Sequence, residues 1–339
     1  MSTTAGHFKA DMGIDSSGSL RRVLLGGALC GICWLLVTLV WGWWTRPAKF
    51  PTGPGGPPVV NVPSRLQQFR PVMPAAPSVP GLVRGTPAPV PGFENIPWMK
   101  SPTLSADLKS IVYVTYAGEV RLDDLVLSER DSITGRFTGH QVITSLSSPD
   151  REAHPALSPD GLELIFVRLK EPAELWVARR SQRGAEFGPP RRWQPQGDDF
   201  PEEHHDAPQF LDSQTALYAV SDAGFTHRRH FLARRSGPGA PFLVQRELSF
   251  ANPWPRYFVT DQGRRAFCPS EQGIELTVSP RGTGEFLPAE VLLPQHTLGQ
   301  NLTKFDDTFW VAPREDVIFF CGESGLKAFA GHRLWMVRL

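Results

Sequence analysis

Neither sign of charge prevails in this chain of 339 residues: 35 Lys and Arg face 34 Asp and Glu, a formal net charge of +1. That removes the global field of a nucleic-acid binder, so no nucleic-acid partner is expected and partners must be argued from local patches. Cysteine is scarce. Four in a chain of this size build no disulfide framework. Cys30 and Cys33 have CxxC spacing but sit in an uncharged apolar run, where a thiolate is costly, and Cys268 and Cys321 read as two buried free thiols. Catalytic signatures are thin. Gly322-Glu323-Ser324-Gly325-Leu326 approaches a nucleophile elbow but has Leu where the last Gly is needed. Phosphate-cradling loops and dinucleotide fingerprints are missing too, and no cofactor is expected.

What is present begins with an apolar run. Residues 1–22 are polar and read as a disordered cytoplasmic tail, after which Val23 to Trp44 carry no charge and are bounded by Arg21-Arg22 and by Arg46. A helix over 23–44 is about 33 Å long at about 1.5 Å per residue, matching a bilayer core of about 30 Å. Trp41, Trp43 and Trp44 cluster at its far end, where indoles favour the headgroup level. A cleaved signal peptide would have a shorter apolar stretch ending in a small-x-small site. The expectation is a single-pass anchor with its N-terminus cytoplasmic and the bulk of the chain periplasmic or extracellular. Residues 45–91 are rich in Pro and Gly and read as an extended spacer.

From residue 92 a repeat appears. Its sharpest copy is His154-Pro155-Ala156-Leu157-Ser158-Pro159-Asp160-Gly161, then Leu164-Ile165-Phe166-Val167 and Leu175-Trp176-Val177. The pattern reads strand, tight turn, strand, loop, strand. Pro159 and Asp160 suit the central positions of a type I turn, and Gly161 the position that often needs positive φ. Pro102, Pro155 and Pro208 recur at 53-residue intervals. A solenoid of that period would be helical, yet the short apolar and alternating runs show no sustained 3.6-residue periodicity. Four short strands per period indicate propeller blades. These residues resemble the repeat of TolB-like, WD-like β-propeller proteins. The resemblance implies a propeller and an envelope or extracellular location, with no particular activity. The fold class expected is all-β: one β-propeller over 92–339 of five four-stranded blades (six being the alternative count), plus one N-terminal transmembrane α-helix. The fifth copy lacks an outermost strand, and Gly92-Phe93-Glu94-Asn95-Ile96 is placed to supply it and close the ring.

Strand alternation sorts loops onto two faces. One collects Arg130, Arg179, Arg180, Arg183, Arg234 and Arg235; the other collects Glu152, His154, Glu203, His204, His205, Asp206 and Asp307 around the channel mouth. The second set has metal-donor types, but adjacent residues on an extended strand point alternately, so no metal is expected. The function expected is a non-enzymatic interaction or scaffold module with a protein partner on one propeller face. The alternative is a glycan-binding or glycoside-hydrolase-like enzyme using paired carboxylates at the mouth, such as Glu152 with Glu203 or Asp307.

Overall fold

The computed structural model describes residues 85–96, 98–117, 122–295, 302–324 and 332–339. The expected anchor at 23–44 and most of the spacer lie outside the described residues. Among those that are described, no helix is long and apolar enough to cross a membrane.

Five four-stranded antiparallel sheets form the blades. Blade one holds β2 (Lys100–Leu104), β3 (Ser110–Ala117), β4 (Leu122–Arg130) and β5 (Phe137–Val142). Blade two holds β6 (Arg151–Leu157), β7 (Glu163–Leu169), β8 (Glu174–Arg179) and β9 (Arg191–Arg192). Blade three holds β10 (His204–Phe210), β11 (Thr215–Ser221), β12 (Arg228–Arg234) and β13 (Leu243–Leu248). Blade four holds β14 (Phe258–Thr260), β15 (Arg265–Ser270), β16 (Gly273–Val278) and β17 (Glu290–Pro294). Blade five holds β18 (Leu302–Val311), β19 (Val317–Ser324) and β20 (His332–Arg338), completed by β1 (Ala88–Pro89).

The second strand of each blade explains the core. In β7, Leu164 and Phe166 pack toward blade one while Ile165 and Val167 pack toward blade three. Both faces are covered, so the strand reads as an unbroken apolar run rather than an alternating one. Five apolar clusters result, one in each seam between neighbouring blades. Full burial of a side chain the size of Phe166 or Phe267 contributes roughly 1.5–3 kcal/mol. An exposed ion pair contributes about 0–1 kcal/mol. The seams therefore carry the stability, and polar contacts fix how the blades register.

The Ser-Pro-Asp-Gly turn forms as read. Gly161 donates its N–H to Ser158 O at 2.8 Å and takes φ +77°. Ser158 Oγ donates to Asp160 and accepts the Glu163 N–H, a clamp repeated by Ser105, Asp107 and Ser110 in blade one.

The arginines assigned to the opposite face are largely consumed as stitches. Arg180 donates to Gly161 O of its own turn and pairs with Glu129 of blade one at 2.9 Å. Arg235 repeats this with Ser213 O and Glu163 of blade two. Arg179 and Arg183 pair with Glu163 and Asp107. A strongly basic face is thus not what the sequence builds.

The innermost strands carry the feature that shapes the mouth. Between Lys100 and Thr103, Ala153 and Ala156, and Asp206 and Gln209, three residues span the distance that two span on the partner strand. This is a β-bulge of one extra residue, and each contains an X-Pro pair. The residue before the proline has positive φ in all three: Ser101 at 51°, His154 at 46° and Ala207 at 47°.

Ring closure occurs as an N-terminal strand completing the last blade, but at Ala88–Pro89, opposite Met336 and Trp335, instead of at Gly92–Ile96. In blades two, three and four the buried Phe precedes the fourth strand (Phe187, Phe242, Phe286), whereas Phe93 follows it and packs into blade one against Tyr113 and Phe137. The Gly-Phe likeness pointed to the wrong side of the strand. Gly92 makes that crossing at φ +108°, and a Cβ there would stand 2.2 Å from Phe137 O. Gly92→Ala is expected to cost roughly 2–4 kcal/mol, seen as a lower urea midpoint at unchanged m-value.

Candidate site at the channel mouth

The bulge at His154 pushes its ring out of the β6 pleat while Ala153 and Ala156 stay in the core. Asp206, just ahead of the matching bulge in β10, meets it across the blade boundary. His154 Nδ1 lies 2.7 Å from Asp206 Oδ1. The other carboxylate oxygen receives Arg228 at 3.3 Å and Arg256 at 3.0 Å. Burial alone would raise the Asp206 pKa, but Arg256, His154 and Arg228 outweigh it and hold the carboxyl well below the usual range. An ionised carboxylate accepts only, so at this separation Nδ1 carries the proton and Nε2 is the nitrogen able to take one.

A cleft of about 520 Å³ opens beside this pair, lined from blade two by Lys170 and Glu171, from blade three by His204, Ser221, Phe225 and Arg228, and by Arg256 ahead of blade four. Pockets of 300–1,000 Å³ suit small ligands. Below it, a cavity of about 70 Å³ runs between the innermost strands, bordered by Ser101, His154, Ala207, Tyr257 and Thr308. That is room for about two waters at roughly 30 Å³ each. Of these two spaces the cleft is the ligand-sized one.

His204 sits at the cleft wall in a fixed tautomer. Its Nδ1 accepts the Ala173 N–H at 3.1 Å, so Nε2 carries the proton and faces Glu171 Oε1 at 3.1 Å. Glu171 is 83% exposed on the β7–β8 loop. The two histidines thus differ in role, His154 as acceptor and His204 as donor.

The structure brings some of the predicted site residues together and scatters the others. His154, His204 and Asp206 line the cleft. His205 points the other way, into the seam between blades two and three, with Nε2 2.7 Å from Asp198 and Nδ1 bonded to Glu203 O. Glu203 is bound by Arg229 at 3.1 Å, which in turn lies over Phe200. Glu152 is buried between blades one and two, taking a 2.5 Å hydrogen bond from Ser148 and standing 3.5 Å from Arg168 Nε. The pairing of Glu152 with Glu203 is not made. The Asp307 side chain lies outside the described residues.

Glu171, Phe225 and Arg256 went unnoticed in the sequence. The signal was available: strand alternation puts the fourth-to-first and the second-to-third loops of the blades on one face, and Glu171 and Phe225 lie in two of the latter. Among the described residues, no group of three or more His, Cys, Asp or Glu is placed to hold a metal ion. Cys268 is no nucleophile, since burial, with Glu275 adding to it, pushes its thiol up to about 12.

No protein-family model matches the chain, and no curated protein matches it. The TolB-like resemblance therefore stands only as a five-bladed propeller. Similar solved structures include the catalytic domain of a Coprinopsis cinerea GH62 alpha-L-arabinofuranosidase, at 12% identity over 74% of this chain and 94% of that one, TM-score 0.45. A gluconolactonase from Xanthomonas campestris follows at 14% identity over 79% and 99%, TM-score 0.40. The periplasmic gluconolactonase of Pseudomonas aeruginosa has 14% identity over 68% and 66%, TM-score 0.39. All three are enzymes by name, and this finding corrects the expectation of a non-enzymatic scaffold. Likenesses this remote say nothing of this chain's substrate. The hydrolytic alternative is carried forward on the geometry of the cleft.

Glu152 gives the stability of the fold a pH dependence. Burial pushes its carboxyl up to about 7 from an ordinary 4.5; Ser148 and Arg168 act against the rise, and Asp124 and Asp150 add to it. Between those values the folded state holds a proton that the unfolded state has released, so this contribution to stability falls as pH rises and is fully lost above about 7. His230 acts with the opposite sign: burial, aided by Arg228 and opposed by Asp206, lowers it to about 3, so its penalty grows as pH drops below 6.5. The two effects separate by comparing variants. The unfolding free energy of Glu152→Gln relative to the parent is expected to increase from pH 4.5 to pH 8 by up to about 3 kcal/mol, measured by urea titration at each pH.

Proposed function

We propose that this propeller is a glycoside-hydrolase-like enzyme that adds water at the anomeric carbon of a sugar held in the mouth cleft. The observation that supports it is the His154–Asp206 pair: a half-buried carboxylate, held well below its usual pKa range, that fixes the tautomer of a histidine bordering a ligand-sized cleft. His154 Nε2 takes a proton from water, and the water oxygen bonds to the anomeric carbon as the bond to the leaving oxygen breaks. Asp206 is held too far below neutrality to serve as the base itself. Its role is to orient His154 and to balance the imidazolium that forms, as a carboxylate partner does in a triad. Glu171 is the second carboxylate of the cleft. It accepts from His204 Nε2, and the leaving oxygen takes its proton from solvent water in the open cleft.

The test uses the full-length protein against a panel of aryl glycosides and sugar lactones. His154→Asn is the informative variant, because Asn tolerates positive φ at the bulge and the fold survives. It is expected to lower kcat by about 10²–10⁴-fold while the melting temperature holds or rises. Glu203→Gln, outside the cleft, is expected to leave turnover unchanged. Absence of turnover on the whole panel, or His154→Asn at the parental rate, would overturn the proposal.

A further inference from the structure

Phe225 is the most conspicuous side chain at the cleft that the reaction above does not use. It is 57% exposed, and its backbone sits at φ +50°, a conformation that a bulky residue rarely adopts. The turn that holds it there is tightly determined. Phe225 N–H donates to Asp222 O at 2.9 Å, and the Asp222 carboxylate accepts the N–H groups of Thr226 at 2.6 Å and His227 at 3.1 Å, along with the Thr226 hydroxyl. Strain kept in place this way clusters at ligand clamps. One face of the ring is covered by His204, with centroids 4.7 Å apart and planes at 27°. His204 is itself anchored at both nitrogens, by Ala173 and Glu171. The stack is therefore rigid, and the rest of the ring surface is open to the cleft.

We infer that Phe225 is a stacking platform for a sugar ring; this deepens the carbohydrate reading above and rests on it. A flat apolar face bordered by charged and hydroxyl groups matches a pyranose or furanose, whose C–H face is apolar and whose edge carries hydroxyls. Glu171, Lys170 and Ser221 border the same cleft and supply donors and acceptors for that edge. An aliphatic or lipid ligand would leave those polar walls unsatisfied, which disfavours it. Leu169, 36% exposed at the cleft wall, extends the apolar strip in the direction of blade two.

The experiment is calorimetric titration of the full-length His154→Asn protein, where turnover is suppressed, with neutral trisaccharides of xylose, arabinose and glucose. Adding Phe225→Ala is expected to weaken binding by about tenfold, and Phe225→Trp to retain it within about threefold. In the catalytically intact protein, Phe225→Ala is expected to raise KM with kcat held, the signature of lost ground-state binding. Phe225→Asn keeps the turn, because Asn accepts positive φ, and must show the same loss. Unchanged binding in both variants, or no binding of any trisaccharide to the parent, overturns the inference. The two proposals fail separately: Phe225-dependent binding without turnover removes the hydrolase, whereas turnover with a KM indifferent to Phe225 removes the platform.

Discussion

A single extra residue in the innermost strand governs what the mouth of this propeller can hold. Side chains on a strand alternate between faces, so an unbroken β6 and β10 would keep every second residue locked into a blade seam. The bulges at Ser101-Pro102, His154-Pro155 and Ala207-Pro208 release one residue per blade from that alternation. Proline suits the position because it has no N–H to lose from the ladder. The positive φ of the preceding residue is an energetic cost of about 1–3 kcal/mol at each site. In blade two that displacement presents His154; in blade three it leaves Asp206 just ahead of the kink, facing the previous blade. Neither the pair nor the cleft beside it follows from the blade fold alone.

The two faces of the disc divide labour through the same residue types. On the face away from the mouth, Arg180 and Arg235 are buried and each is answered by a glutamate of the preceding blade and a turn carbonyl of its own. Such pairs, fully satisfied, fix register between blades more than they add stability. At the mouth, Arg228 and Arg256 converge with His154 on the single carboxylate of Asp206. That is an arrangement that sets protonation states. The first kind of cluster ties neighbouring blades, and the second holds one carboxyl ionised.

Much of the fold was legible because its signals are local. Leu164-Ile165-Phe166-Val167 announces a strand covered on both sides, Ser158-Pro159-Asp160-Gly161 announces its turn, and the 53-residue recurrence of X-Pro announces the blade. The closing strand was misplaced because Phe93 resembles the Phe that precedes a fourth strand elsewhere, and only register against β20 shows that Ala88–Pro89 does the pairing. The site was half legible. Face alternation places His154, His204 and Asp206 at the mouth, where they line the cleft, but that rule does not tell a cleft-facing histidine from His205, one residue along and buried against Asp198. Glu171 and Phe225 were invisible as a pair because loops of different blades brought them together, a tertiary fact without a sequence spacing. The prolines held more than was read from them: a proline inside an inner strand marks a bulge, and a bulge marks a side chain turned out of the core.

The site also depends on the ring as a whole. Asp206 belongs to blade three, His154 to blade two, and Arg256 to the segment entering blade four, so the pair survives only while three blades keep their spacing. Each seam is apolar and nondirectional, and could slide at little cost. Directional bonds between inner strands prevent this: Leu157 N–H donates to Thr103 Oγ1, and the Gln209 amide makes both of its bonds to the backbone of Val259. On the far side of the disc, β1 pairs with β20 and then hands the chain through Gly92 to blade one, so the ring is tied where it would otherwise open. The strained inner-strand residues are held by neighbours on both sides, and that is the condition under which such strain persists.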